Sequence, residues 1–154
     1  MALLKMYGKT VSNQAVLRGN LAKKSMFHPT TEDIATGIVH AAYRVHRALG
    51  PGLLERIYES CLAYELRKAG YRVERQIPLP IVYDGLVFEE GLRLDLLVEN
   101  RIIIEIKAAD HPHPIWTAQL LSHLKLTDKK LGFLINFNVP LLRDGIKRYI
   151  HTKT

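Results

Sequence analysis

Hydrophobic residues recur at helical spacing in two adjacent segments that begin at Thr31. In the first segment, apolar positions fall at three- and four-residue intervals between residues 34 and 49, after a threonine and two acids that suit a helix N-terminus. Gly50 and Pro51 end it, because glycine caps helices and proline cannot continue them. The second segment, LLERIYESCLAYELRKAG, has a broad apolar face and also ends at a glycine. The pattern predicts two consecutive helices.

The next part of the chain is typical of strands. YRVERQIPLPIVYDG carries prolines at 78 and 80, which favour an edge strand or a bulge, and Asp84-Gly85 predicts a hairpin turn. LVFEEGLRLDLLVE and RIIIEIKAA follow as a second hairpin. A helix in PIWTAQLLSHLKLTD and a central strand in LGFLINFN come next, before a tail with a turn or short helix and a final strand. This order predicts one α/β domain.

Composition and charge say little about most of the chain, but they distinguish the N-terminal segment from the rest. The chain of 154 residues has a formal net charge of +7, and its single cysteine excludes an internal disulfide. Residues 1–31 contain five lysines or arginines and no acid, which leaves a net charge of +2 for the remainder. We therefore expect residues 1–30 to be a disordered basic extension and residues 31–154 to be the folded domain. No apolar run is long enough to span a membrane, and we expect a cytoplasmic protein.

Charged residues interrupt the second hairpin, LRLDLLVENRIIIEIKAAD, at Asp95, Glu105 and Lys107. If its turn consists of three residues, 99 to 101, the residue numbers of two cross-strand partners always sum to 200. Asp95 then stands opposite Glu105, with the two Cβ atoms about 5 Å apart. A two-residue turn would place the two acids on different faces of the sheet. Strand alternation places Leu94 with Leu96, on the face opposite Asp95.

Two ionised carboxylates at that distance repel each other by about 4 kcal/mol at an effective dielectric constant near 20. Protonation, a cation or water can relieve this repulsion. Lys107 supplies one positive charge on the same face, and Mg²⁺, which prefers one or two carboxylates together with water and phosphate oxygens, would supply more. The other interpretation is a solvated strand face with cross-strand ion pairs, and the hairpin alone does not decide between the two.

Several segments together resemble the GxxExxY family of the PD-(D/E)XK nuclease superfamily. They are GLLERIYE, LDLLVENRIIIEIKA, AQLLSHL, AYRVHRALGPG, GFLINF and GIKR, spread from about residue 31 to residue 149. The resemblance implies a restriction-endonuclease-like core, in which helices flank a mixed central sheet. It also implies a nuclease that uses Mg²⁺ or Mn²⁺ to hydrolyse phosphodiester bonds in nucleic acid, with DNA favoured over RNA.

The resemblance also assigns roles to individual residues. Asp95 and Glu105 match the two metal-binding acids, Lys107 matches the lysine of the motif, Glu55 matches an acid on the preceding helix, and Gln119 matches a glutamine on the following helix. These five are the expected catalytic residues. The expected metal ligands are Asp95, Glu105, the Ile106 carbonyl and Glu55.

The sequence departs from the family pattern at two positions. Leu94 replaces the proline of the motif name, and His123 stands where related nucleases often have tyrosine, on the same helical side as Gln119. We expect the second change to alter contact with the substrate.

Simpler interpretations remain open for several of these residues. Glu55 lies in a first helical turn, where an acid interacts favourably with the helix dipole by about 0.3–1 kcal/mol. Gln119 suits a bond to the backbone, and Tyr58 suits the core. The pair His111 and His113 suits a proline-rich loop better than a zinc site, because no cysteine or acid pattern accompanies it.

Two other functional classes also remain open. The domain could be a catalytically silent module that binds nucleic acid or regulates another protein while it retains the nuclease fold. It could also be a toxin-like or repair-complex subunit that becomes active only with a partner protein, and a homodimer is open as well. The acid–acid–lysine set argues against a pure binding module, because acids that face phosphate weaken binding.

Overall fold

The computed structural model describes residues 28–152. The predicted disorder of residues 1–30 therefore concerns a segment that lies almost wholly outside the described residues. The described part contains three α-helices, five strands and one short 3₁₀ helix. In chain order they are α1 (Thr31–Leu49), α2 (Glu55–Lys68), β1 (Val73–Tyr83), β2 (Leu86–Val98), β3 (Ile102–Lys107), α3 (Pro114–Thr127), β4 (Leu131–Asn136), the 3₁₀ helix (Leu142–Asp144) and β5 (Ile146–Ile150).

The strands form one mixed sheet in the order β1-β2-β3-β4-β5. Only the β3–β4 pair is parallel, and α3 makes the crossover between these two strands. Strand β1, which carries the two prolines, lies at an edge, while β4 pairs on both sides and all six of its residues are buried. The structure confirms the predicted α/β fold class, a mixed central sheet flanked by helices.

The turn between β2 and β3 has the predicted length. Val98 pairs with Ile102, and the ladder continues to Leu96 and Ile104, so paired numbers sum to 200. Glu99 and Asn100 have positive φ angles of 51° and 53°, the backbone conformation that lets two strands reverse within three residues. The register on which the pairing of the two acids depends is therefore confirmed up to the position next to Asp95.

Apolar side chains fill both faces of the sheet, in two buried clusters. The larger cluster joins α1 and α2 to one face, and the smaller cluster joins α3 to the other. Side chains from alternate positions of β3 divide between them, with Ile102, Ile104 and Ile106 in the larger cluster and Ile103 in the smaller one. Glu105 and Lys107 continue the row of Ile103 and therefore lie on the α3 side of the sheet.

One prediction about strand β2 is wrong. We expected Leu94 to share a face with Leu96, but Leu94 belongs to the smaller cluster together with Leu97. In β2, the pairing with β3 begins at Leu96. The residue before it, Asp95, accepts a hydrogen bond from the backbone N–H of Ile106 with its side chain instead. Regular alternation is thus interrupted at Asp95, and the residue before it turns to the other face.

Two local features orient the segments that surround β3. His113 caps α3, since its Nδ1 accepts a hydrogen bond from the Ile115 N–H at 3.1 Å. Asn136, at the end of β4, accepts a hydrogen bond from Ala109 N at 3.1 Å and donates one to Ala109 O at 2.8 Å. These bonds fix the chain where it leaves β3. Within residues 28–152, no helix has the length and apolar character needed to cross a bilayer.

Candidate active site

Strands β2 and β3 and helix α3 bring four of the five predicted catalytic residues to one cleft of about 450 Å³. These four are Asp95, Glu105, Lys107 and Gln119. The β1–β2 hairpin forms the other wall of the cleft. The complete lining consists of Pro78, Glu90, Gly91, Leu92, Arg93, Asp95, Glu105, Lys107, Gln119 and His123.

Asp95 is a partly buried carboxyl whose orientation is fixed by the backbone of the neighbouring strand. Its Oδ2 accepts a hydrogen bond from the Ile106 N–H at 2.8 Å. Burial first, and the charge of Glu105 second, raise the pKa of Asp95 from 3.8 to about 7, although the hydrogen bond from the Ile106 N–H lowers it. A cation bound beside Asp95 would favour its ionised form.

Glu105 is almost completely buried, with 5% of its surface exposed, and it is paired with His123, which is 4% exposed. His123 Nδ1 lies 2.6 Å from Glu105 Oε1. An ionised Glu105 would accept this hydrogen bond from a protonated Nδ1. We expected His123 to alter contact with the substrate. In the structure, its Nδ1 is hydrogen-bonded to Glu105, one of the acids of the cleft. The available signal for this contact was the position of His123 one helical turn after Gln119.

Lys107 and Gln119 offer hydrogen-bond donors to the same cleft. Lys107 Nζ lies 5.8 Å from the centroid of the Trp116 ring, a cation–π distance that holds the amine near the start of α3. Gln119, on the following turn of α3, is exposed. Both side chains can therefore reach an anionic group that enters the cleft.

Glu55 lies to one side of these residues, at the N-terminus of α2, and it does not belong to the cleft lining. The residue is exposed, but partial burial of its carboxyl raises its pKa, while the positive charge of Lys107 and a hydrogen bond from the Ala108 backbone lower it. Glu55 is therefore electrostatically connected to Lys107. Its charge also reaches the two central acids, since Glu105 raises the pKa of Glu55 and Glu55 raises that of Asp95, but the three carboxyls are not arranged to hold a metal ion by themselves.

Sequence reasoning missed a second acid on α2. Glu59 is 5% exposed, its Oε1 accepts a hydrogen bond from Arg75 Nε at 2.9 Å, and its Oε2 accepts one from Gln76 Nε2 at 2.6 Å. Glu59 follows Glu55 by four residues, so the helical period already placed it on the same side of the helix. That spacing was the available signal. The contact with Gln76 depends on how β1 packs on α2, which the sequence does not reveal.

Tyr58 has the core position predicted for it and also fixes the start of α2. It is fully buried and stacks on Phe137 with ring centroids 4.7 Å apart. Its hydroxyl donates to Gly50 O at 2.6 Å and accepts from Leu53 N at 3.0 Å. The loop that leads into Glu55 is thereby attached to the core.

The acids of the cleft fit a divalent cation of the Mg²⁺ type better than a structural metal. Within residues 28–152, no group of three or more His, Cys, Asp or Glu side chains is arranged to hold a metal ion alone. Mg²⁺ normally retains several waters and binds through one or two carboxylates together with phosphate oxygens. Asp95 and Glu105 meet that smaller requirement, and a cation would offset the burial and the neighbouring charge that raise the pKa of Asp95.

Comparison with known protein families identifies the domain. A family profile described as PD-(D/E)XK nuclease superfamily matches residues 32–149, which is most of the chain. Neither a curated protein nor a solved structure gives a significant match. The five-stranded mixed sheet with its three flanking helices is consistent with the restriction-endonuclease-like fold of that superfamily. The chain therefore belongs to the PD-(D/E)XK nuclease superfamily.

Proposed function

We propose that the protein is a nuclease of the GxxExxY type that hydrolyses phosphodiester bonds in nucleic acid with the help of Mg²⁺ or Mn²⁺. One observation carries the proposal. Two acids on adjacent strands, Asp95 and Glu105, line one cleft with Lys107, and the pKa of Asp95 is raised to about 7 by burial and by the neighbouring charge. A fold keeps such an arrangement at a cost in stability, which is typical of a functional site.

The proposed metal ligands are Asp95, Glu105 and the Ile106 carbonyl, with Glu55 as a further candidate. When bound, a divalent ion would make a water molecule more acidic and neutralise charge on the phosphate. The protein itself contributes a fixed donor set, since the Ile106 N–H orients Asp95 and His123 orients Glu105. These two hydrogen bonds hold the carboxylates before any ligand arrives.

Two donors in the cleft would act on the substrate. Lys107 would orient the attacking water and stabilise the charge that develops on the phosphate oxygens. Gln119, exposed on α3, would donate its amide to a phosphate oxygen or position the lysine. Both assignments follow from the side chains that share the cleft with the acids.

The remaining details of the proposal rest on the resemblance and on composition. DNA is the first substrate to test, because the resemblance includes restriction-type and recombination-type nucleases. A homodimer or a partner protein as an activator remains a prediction. A cytoplasmic location likewise remains a prediction, which rests on the single cysteine.

A silent nucleic-acid-binding module is the second candidate. The observation in its favour is that the described residues hold no group of three potential metal-binding side chains. Such a module would bind nucleic acid in a salt-sensitive manner, because phosphate contacts release counterions, and its affinity would not respond to metal.

A cleavage assay tests the proposed activity. Purified protein is incubated with labelled single- and double-stranded DNA and RNA in the presence of Mg²⁺, Mn²⁺ or a chelator. We expect metal-dependent cleavage by the wild type and its loss in Asp95→Ala, because that variant removes an acid of the proposed metal site and leaves the apolar core intact.

The matched control for this assay is Asp144→Ala, which removes an acid whose side chain is 64% exposed in the 3₁₀ helix. The control is expected to cleave as the wild type does. Undiminished cleavage by a folded Asp95→Ala variant would refute the assignment.

A further inference from the structure

Gln76 has a backbone conformation that is out of place in a strand. Its φ angle is +50°, although it lies inside β1, between the pairs Arg75–Leu96 and Ile77–Leu94. The other non-glycine residues with positive φ in the described chain are at turns or at the end of α3. A left-handed conformation costs a non-glycine residue roughly 1–2 kcal/mol. Such strain persists where the surroundings enforce it, which often happens at functional sites.

The side chain of this residue lies between two carboxylates. Gln76 Nε2 donates to Glu59 Oε2 at 2.6 Å and lies 3.5 Å from Asp95 Oδ1, the upper limit of a hydrogen-bond distance. The Gln76 amide presents its nitrogen, with two N–H groups, to Glu59 Oε2 and Asp95 Oδ1, the orientation that suits ionised carboxylates, which only accept. Among residues 28–152, the Gln76 side chain thus connects helix α2, through Glu59, with the Asp95 carboxyl.

Glu59 provides a fixed support for this amide. It is buried, and its second oxygen is held by Arg75 at 2.9 Å, so both of its oxygens have partners. The Glu59–Arg75 ion pair and the Arg75–Ser60 hydrogen bond already attach β1 to α2. They do not explain why the next residue leaves the normal strand conformation and turns its amide toward Asp95.

We propose that Gln76, supported by Glu59, is a positioning residue that orients the Asp95 carboxylate for metal binding. The inference rests on the proposed function. Asp95 is then held on both sides, by the Ile106 N–H at Oδ2 and by the Gln76 amide at Oδ1. Residues of this kind, which orient a ligand without touching the metal, typically change metal affinity by 10- to 100-fold when they are replaced.

The first test measures binding of Mn²⁺ alone to the full chain by calorimetry. Gln76→Gly removes the side chain and permits the positive φ angle, so it separates the amide from the backbone strain. We expect this variant to remain folded, because relief of the strained φ angle offsets part of the lost hydrogen bond to Glu59, and to bind Mn²⁺ about 10-fold or more weakly. Glu59→Gln retains an acceptor for the amide, and its loss of affinity should be smaller.

The matched control is Glu74→Gln, two residues before Gln76 on the same strand, where the side chain is 42% exposed and paired with Arg72. Its Mn²⁺ affinity should equal that of the wild type. If the wild type binds Mn²⁺ and Gln76→Gly binds equally well, the positioning role is refuted while the proposed function stands.

A second measurement does not depend on the metal. In the metal-free wild type, we expect the Gln76 side-chain amide protons to be shifted in the NMR spectrum and slow to exchange, and Asp95→Asn should alter both properties. Amide protons with the shifts and exchange of a free glutamine would overturn the positioning role even if no metal bound. Absence of Mn²⁺ binding by the wild type would instead count against the proposed function.

Discussion

The two central acids, Asp95 and Glu105, differ in their burial and in their hydrogen-bond partners. Glu105 lies deeper than Asp95, yet it has a histidine partner at 2.6 Å, whereas Asp95 has one backbone N–H at 2.8 Å and a distant amide. A buried carboxylate that lacks full compensation holds its proton more tightly. Burial and the charge of Glu105 accordingly raise the pKa of Asp95 to about 7.

This property predicts how the stability of the metal-free protein depends on pH. The folded state keeps the Asp95 proton up to about pH 7, whereas the unfolded chain loses it near pH 3.8. Between these values the folded state binds more protons, so the free energy of unfolding falls as pH rises. The loss is on the order of a few kcal/mol and is complete above pH 7.

The measurement compares urea denaturation of the wild type and Asp95→Asn at pH 5 and pH 8. Asparagine cannot ionise, so the advantage of the variant over the wild type should be larger at pH 8. A difference in stability between the two proteins that is the same at both pH values would show that the pKa of Asp95 is not raised.

At the scale of elements, the end of strand β4 holds the site in place. Asn136 pairs with Lys107 in the parallel ladder and fixes Ala109 beyond it. The next segment returns to the same point, since Asn136 N donates to Gly145 O at 2.8 Å. A Cβ atom at Gly145 would overlap the Asn136 carbonyl oxygen, which explains the glycine at this position.

Gly145→Ala should therefore lower the free energy of unfolding by about 1–3 kcal/mol, the usual range for overpacking. Because the backbone of Asn136 must move, catalysis should fall as well. Chemical denaturation provides the measurement, and the neighbouring Asp144→Ala should change the stability by no more than about 0.5 kcal/mol. Equal stability of Gly145→Ala and the wild type would mean that this contact is not tight.

The elements that could be predicted from the sequence are those with strong local signals. The Gly50-Pro51 end of α1, the Asp84-Gly85 turn and the prolines of the edge strand each act within a few residues. The β2–β3 register was also predictable, because a three-residue turn fixes it. The fold class followed from the order of these elements.

The rest of the site depends on contacts between residues that are distant in sequence. The Glu105–His123 pair joins residues 18 positions apart, and the Glu59–Gln76 bond joins residues 17 positions apart. No local pattern marks either one. The misplaced Leu94 has a related cause, because alternation holds only in a regular strand and β2 is interrupted at Asp95. Periodicity thus predicts the scaffold but not the hydrogen bonds that orient the acids.

At the scale of the whole molecule, most of the positive charge and the residues of the proposed metal site fall in different parts of the sequence. Most of the positive excess belongs to residues 1–31, whereas the proposed metal site lies on β2 and β3. Attraction for nucleic acid and metal-dependent chemistry can therefore be tested independently. Salt should weaken the first, and loss of an acid in the cleft should abolish the second.

The central claim is that Asp95 and Glu105 together hold a catalytic divalent ion. Calorimetric titration of the full chain with Mg²⁺ and Mn²⁺, for the wild type and Glu105→Ala, tests it most directly. We predict binding by the wild type with a Kd in the micromolar-to-millimolar range, on the order expected for a site of two carboxylates and water, and no binding by the variant. Metal binding that persists in a folded Glu105→Ala variant, or salt-sensitive DNA binding by a wild type that binds no metal, would contradict the claim.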